Sequence, residues 1–338
     1  MKHYIIFFLF SLIFCAQKAD VYFTRTISPE KMVEMFDKLN VKLKGNVGLK
    51  VHSGEPDGPY FLRPNFLQKI YEHTNGTFLE CNVAYSSKRI NTDTHKQTLE
   101  QNGWLENGRR FEIMDENPED DIHFDLEHYN MINITYAGKH LEKYDSCVVL
   151  SHFKGHQMGG FGGALKQLSI GFASRAGKTW IHTAGQTLDH TQIWAKAANQ
   201  LNFTASMADA ASAIVKYFKE KGEIVYLNVI VNVSLSCDCA GQKAPKPQIS
   251  NIGILASTDP VAIDQACLDF IKKTHENGTQ PFLDQVAAKE GENTIKMAEQ
   301  LGIGTRQYNL IDVDGNENNG QFIYSHLSLI LLVLLLFV

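Results

Sequence analysis

Residues 151–166 read SHFKGHQMGGFGGALK, and this stretch decides how the rest of the chain is understood. Just before it, Cys147, Val148, Val149 and Leu150 form the apolar, β-branched run of a buried strand. Just after it, Ala164 to Leu168 have the composition of a helix. A strand that runs into histidine, lysine and glycine before a helix is a common way for α/β proteins to build a ligand site. Gly159, Gly160, Gly162 and Gly163 would let the backbone approach a ligand and turn its N–H groups inward as an anion cradle. His152, Lys154, His156 and Lys166 add titratable or ligating groups. The competing reading is a glycine-rich loop whose histidines are merely solvated or hydrogen-bonded. The crowding of these side chains around the glycines favours a site.

Working outward, residues 46–52 (NVGLKVH) form a strand that ends on Lys50 and His52, and residues 77–84 form another. Residues 131–136 and 145–150 add two more strands, and 223–235, the longest β-branched run, reads as central. Strands at 251–256 and 308–313 complete the set. Between them lie helices: one opened by Ser28 and Pro29, one over 93–104, and others over 193–201 and 207–221, the last closed by Gly222. Asp259 and Pro260 open a helix to 273. This alternation gives an α/β fold: a mixed or largely parallel sheet with flanking helices, in one unit or two intimate lobes.

Both ends read as processing signals, so the expected organisation is a signal peptide at 1–16, an α/β domain over 20–314 and an attachment signal at 315–338. Lys2 and His3 precede an apolar run from 4 to 14, followed by small residues. Residues 327–338 are twelve apolar or small residues, short of the about 20 that a membrane span needs. With small polar residues and a spacer upstream, they match a glycosylphosphatidylinositol (GPI) attachment signal near Asn318; a tail anchor is the alternative. The expected location is therefore the secretory pathway and the cell surface, with lipid-mediated contact to a membrane. Five N-glycosylation sequons agree. Asn75 and Asn277, each followed by glycine, look like exposed turns, whereas Asn133 and Asn232 fall in strand-like runs. The net charge of −5 and the lack of a basic cluster argue against a nucleic-acid surface. With Cys15 at the cleavage region, five cysteines remain, too few and too scattered for a disulfide scaffold; Cys81 and Cys147 read as small buried hydrophobes.

Four stretches together resemble the DUF362 family, often labelled uncharacterised iron–sulfur centre proteins. They are GLKVHSGEP (48–56), SHFKGHQMGGFGGALKQLSIGFASRAGK (151–178), SCDC (236–239) and IGILASTDPVAIDQA (252–266). The resemblance spans about 46–313 and implies a metal ion or iron–sulfur cluster as cofactor. The chain departs from the pattern in having no C-x-x-C, the spacing that a ferredoxin-type cluster requires. What survives is Cys237-Asp238-Cys239, two thiols and a carboxylate able to bind a soft or borderline metal. The alternatives are cysteines bonded elsewhere, or one disulfide to Cys267. The loop 152–171 also resembles the glycine-and-lysine stretch of nickel-pincer lactate racemases. That likeness implies an isomerase or redox step on a small hydroxy acid, with histidine as acid–base group.

Loops beyond the carboxyl ends of strands in an open α/β sheet converge on one crevice. We therefore expect His52, His152, His156, Lys166, Lys178, His182, Cys237, Cys239 and Asp259 to meet, with Asp259 alternatively a plain helix cap. His152, His156, Lys166 and His182 are the candidate catalytic groups. Lys50, His52, Lys154, Lys178, Asp259 and the glycines are candidates for holding a small anionic ligand. Two functions compete: a surface-anchored metal centre, and a non-catalytic binding protein whose metal site has decayed.

Overall fold

The apolar run before the glycine stretch becomes a strand covered on both faces, and the sheet is built around it. The computed structural model describes residues 18–117, 121–235 and 238–315. Residues 1–16, Asn318 and the apolar tail lie outside this description, as do Cys237 and the side chains of Asp238 and Cys239. The chain opens with β1 (Ala19–Thr24), α1 (Pro29–Lys38), β2 (Val47–Lys50), α2 (Gln68–Thr74), β3 (Thr77–Glu80), α3 (Thr92–Gln101) and β4 (Phe111–Ile113). A hairpin of β5 (Asp121–Asp125) and β6 (Ile134–Gly138) leads to β7 (Ser146–His152) and a second hairpin, β8 (Lys154–His156) and β9 (Gly160–Gly162). Next come α4 (Ala164–Lys166), α5 (Arg175–His182), α6 (Gln200–Lys221), β10 (Ile224–Ile230) and β11 (Gly253–Ser257). The described chain closes with α7 (Pro260–Lys273), α8 (Thr279–Ala288), α9 (Gly291–Gln300) and β12 (Tyr308–Asp312).

Eight strands form the main sheet in the order β12-β1-β11-β10-β7-β2-β3-β4. All run parallel except β11, which is antiparallel to both β1 and β10. Alternate side chains of β7 serve two cores, as the two-residue period requires. Cys147 and Val149 pack with Ala211, Ile214 and Phe218 of α6 on one face. Val148 and Leu150 pack with Met32, Met35 and Phe36 of α1 on the other. Helices thus cover both faces, and ligands in such sheets gather at the strand carboxyl ends where strand order reverses. Here the reversal lies between β2 and β7, because the chain steps outward from β2 to β4 and then returns to β7 on the other side.

Several expectations change in detail. The strand predicted over 223–235 stops at Ile230, because Asn232 takes a left-handed φ of 48° and gives its N–H to Asn251 Oδ1. The helix predicted over 193–201 is absent; α6 starts at Gln200, where the Asn199 side chain accepts from Asn202 N. Asn133 and Asn232 lie just outside strands rather than within them. Asn75 and Asn277 are exposed. Cys81, Cys147 and Cys267 are free and buried, which removes the disulfide to Cys267. Among the described residues, no helix is long and apolar enough to cross a membrane.

Candidate functional site

A cavity of about 250 Å³ sits at the carboxyl edge of the sheet, beside the β2–β7 reversal. His52, just past β2, Glu80, the last residue of β3, and His152, the last of β7, reach it directly from strand ends. The β8–β9 hairpin brings Lys154 and His156, and α4 brings Lys166. Helix α5 contributes Lys178 and His182. Sequence positions up to 130 residues apart therefore meet as the strand-end argument expects.

The hairpin forms the floor. Lys154 and His156 alternate with Gly155, so both face the cavity while Gly155 lies against the carbonyls of Ser234 and Leu235. The backbone also settles the proton positions on two imidazoles. His152 Nε2 lies 2.6 Å from the Val231 carbonyl, which only accepts, so Nε2 carries a proton and in the neutral ring Nδ1 is the acceptor. His156 Nδ1 accepts from Met158 N at 3.2 Å and Gly159 N at 3.0 Å, so its neutral ring carries the proton on Nε2. One cavity therefore holds a basic ring nitrogen and an N–H donor on neighbouring histidines.

Glu80 anchors the opposite wall. Its carboxylate accepts from His52 Nδ1 and Arg89 Nη1, each at 3.0 Å, from His95 Nε2 at 3.3 Å, and from the Ser53 backbone and hydroxyl. Burial alone would raise the Glu80 pKa; the Arg89 charge and the histidine hydrogen bonds outweigh burial and hold it well below the usual range. Arg89 is also paired with Glu55 at 2.7 Å, and burial, which would lower its own pKa, is outweighed by Glu80 and Glu55. Little in the chain's residue order signals this network. Its one signal was a glutamate closing the apolar strand FLE, since Arg89 sits in an unpatterned polar loop.

Helix α5 is pinned at its start: Asp115 accepts from Arg175 N at 2.9 Å, and Ser174 caps by accepting from Gly177 N. Burial pushes the Asp115 carboxyl up to about 6, against the opposing pull of Lys178. Lys178 itself donates to the Ala173 carbonyl at 2.5 Å. The His182 ring stacks on Phe203 with centroids 4.5 Å apart.

Three predicted roles change. Lys50 lies behind the wall rather than in the cavity: its Nζ donates to the Val51 carbonyl at 2.6 Å and to Gln167 Oε1 at 3.1 Å. Full burial lowers its pKa to about 8. Asp259 is outside the site altogether. It follows β11, whose antiparallel course carries its carboxyl end to the opposite edge of the sheet. There Asp259 Oδ1 caps α7 at Val261 N and Ala262 N, and Oδ2 accepts from Thr305 N. The glycine stretch, finally, does not leave the α4 amides open as an anion cradle, because the protein supplies the anion. Asp264 takes the N–H groups of Ala164 at 2.8 Å and Leu165 at 2.9 Å, together with Asn228 Nδ2 at 2.7 Å. Burial pushes the Asp264 carboxyl up to about 6. Gly163 is needed for close approach, since a Cβ there would stand 2.3 Å from Asp264 Oδ1. Gly162 and Gly163 line the cavity, whereas Gly159 and Gly160 form the hairpin's turn and paired strand beyond it.

The described cysteines do not suit a cluster. Burial raises the thiol pKa of Cys81, Cys147 and Cys267, Cys147 to about 12, so none is a ready thiolate. Among the described residues, no group of three or more His, Cys, Asp or Glu side chains is placed to hold a metal ion.

A family model described as a domain of unknown function, DUF362, matches residues 47–269. Among solved structures, a Thermotoga maritima protein is similar at 13% identity and a TM-score of 0.39, covering 80% of this chain and 58% of that one. The lactate racemase apoprotein from Thermoanaerobacterium thermosaccharolyticum is similar at 15% identity and a TM-score of 0.43, covering 75% of this chain and 57% of that one. The chain thus spans under three-fifths of the length of each. A comparison with curated proteins finds no match.

Proposed function

The chain belongs to the DUF362 family, and we propose that its cavity binds a small organic acid and moves a proton on it. The observation that carries this reading is the pair of backbone-fixed tautomers, His152 with a basic Nδ1 and His156 with an Nε2–H donor, in one cavity. A base and an acid set at fixed positions are what general acid–base chemistry needs. Charge supports the same substrate class. Among the described lining residues, Arg89, Lys154, Lys166 and Lys178 stand against the single carboxylate of Glu80. Arg89 is paired with Glu55 and Glu80, and the three lysines make the lining positive in sign, which favours an anion. A carbonyl or hydroxy carboxylate fits both requirements.

Pyruvate serves as the probe. We expect calorimetry on the full chain to show salt-sensitive binding that weakens about tenfold in Lys166→Ala, the worth of one charge-assisted hydrogen bond. Solvent deuterium should enter the pyruvate methyl group with the wild-type protein and not with His152→Gln, whose amide cannot take up the proton. Absence of pyruvate binding, or equal binding by Lys166→Ala, would end this reading.

A second reading, a metal centre at Cys237 and Cys239, is supported by where the flanking residues run. Ser234 and Leu235 lie against Gly155 of the hairpin floor, and Gly241 lies against Glu55, the partner of Arg89. Metal analysis of the full chain checks it: stoichiometric metal lost in a Cys237→Ser/Cys239→Ser variant is the expected result. Metal-free wild-type protein of unchanged stability would eliminate it.

A further inference from the structure

The cavity has two chemically different ends. Its floor is polar and enclosed, two lysines beside two histidines: His152, Lys154, His156 and Lys178 are all at least nine-tenths buried. Its rim is apolar, with Met158 and Ile170 half-buried, Ile193 buried and Trp194 56% exposed. A scattered surface leucine needs no explanation, but a large ring left in water at the lip of a cavity does. Trp194 is also held in place. Its ring meets His182 edge-on with centroids 6.1 Å apart, and His182 in turn stacks on Phe203 at 4.5 Å and 16°. This aromatic series runs from the core cluster containing Phe203 to the cavity mouth and ends on an indole with one side in solvent.

Resting on the organic-acid reading above, we propose that the ligand is a carboxylate joined to a planar ring, with the ring seated against Trp194, Ile170 and Met158. The carboxylate would face the lysines and histidines of the floor. Aromatic pairs prefer edge-to-face or offset stacking, and a ring added to the exposed side of Trp194 continues the arrangement that His182 and Phe203 begin. Volume agrees. A cavity of about 150 Å³ accommodates a benzene ring, so the 250 Å³ present here also leaves room for a charged head group.

The test compares phenylpyruvate with pyruvate on the full-length protein, because the two share a head group and differ by the ring. We expect phenylpyruvate to bind about tenfold more tightly or better, from apolar burial and ring pairing. That preference should collapse in Trp194→Ala and survive in Trp194→Phe, which restores a ring without the indole. If pyruvate binds and phenylpyruvate binds no better, or if the preference is unchanged in Trp194→Ala, the ring subsite is overturned while the acid-binding cavity stands. If neither acid binds, the cavity reading falls and this inference falls with it.

Discussion

Arg89→Met is expected to lower the stability of the protein by about 3–5 kcal/mol, the cost of removing one partner from a buried ion pair. Arg89 is 1% exposed and lies between Glu55, 7% exposed, and Glu80, 5% exposed. Methionine fills the same space but leaves two carboxylates without their cation. For a chain of this size the loss corresponds to a fall in melting temperature on the order of 10 °C. The pH dependence should also reverse. In the wild-type protein both carboxyls titrate below the ordinary value of 4.5, so their stabilising contribution is complete above that value and is lost as pH falls through the lowered pKa. In Arg89→Met, burial acts without its main opponent and raises both pKa values, so the folded state takes up protons that the unfolded chain does not. The deficit should then be largest near neutrality and shrink as pH falls toward 4.5. Urea unfolding at about pH 7 and about pH 5 separates the outcomes. A loss below about 1 kcal/mol, or the same loss at both pH values, would mean that the network is not held by charge.

This network shows where sequence reasoning stops. The positions of His52 and His152 were legible because each lies at or just past a recognisable strand end, and parallel strands deliver such residues to one edge. Strand direction carries no comparable signal. Gly253–Ser257 is a short apolar run like its neighbours yet runs the other way, and that alone removes Asp259 from the cavity. Lys50 fails for a different reason. The strand ends on it as expected, but the side chain stays behind the wall and bonds to Gln167 from there, a choice made by packing rather than by position.

The glycines teach a related lesson. A run such as GGFGG suggests backbone exposed to a ligand, but glycine equally marks places where two parts of the protein touch. The deciding partner, Asp264, lies 101 residues beyond Gly163, so nothing local could reveal that the α4 amides were already taken. The same blindness hid Gly155, which no motif distinguished from the other glycines of the hairpin.

Gly155→Ala is expected to have a large effect on function although it adds only one methyl group. A Cβ at Gly155 would stand 2.4 Å from the Leu235 carbonyl oxygen and 2.6 Å from that of Ser234. Neither oxygen can swing aside as a side chain would. Ser234 O accepts the Gly155 N–H at 2.9 Å, and Gln285 Nε2 ties Leu235 O at 2.6 Å to Gly160 O at 3.1 Å. Relief must come from moving β8 itself, by on the order of 1 Å, at an overpacking cost of about 1–3 kcal/mol. Because Lys154 and His156 flank Gly155, both floor groups move with it. A misplacement of about 1 Å is enough to cost about a hundredfold in a positioned proton transfer. Deuterium entry into pyruvate should therefore fall by about that factor, far more than the modest drop in melting temperature would suggest. Gly162→Ala on the paired strand is the stability control, since its Cβ would make only an ordinary contact, 3.5 Å from Lys166 Cδ. Should Gly155→Ala melt and exchange like the wild-type protein, the hairpin would be a pliable cover, and the His156 tautomer fixed by its backbone would lose its structural basis.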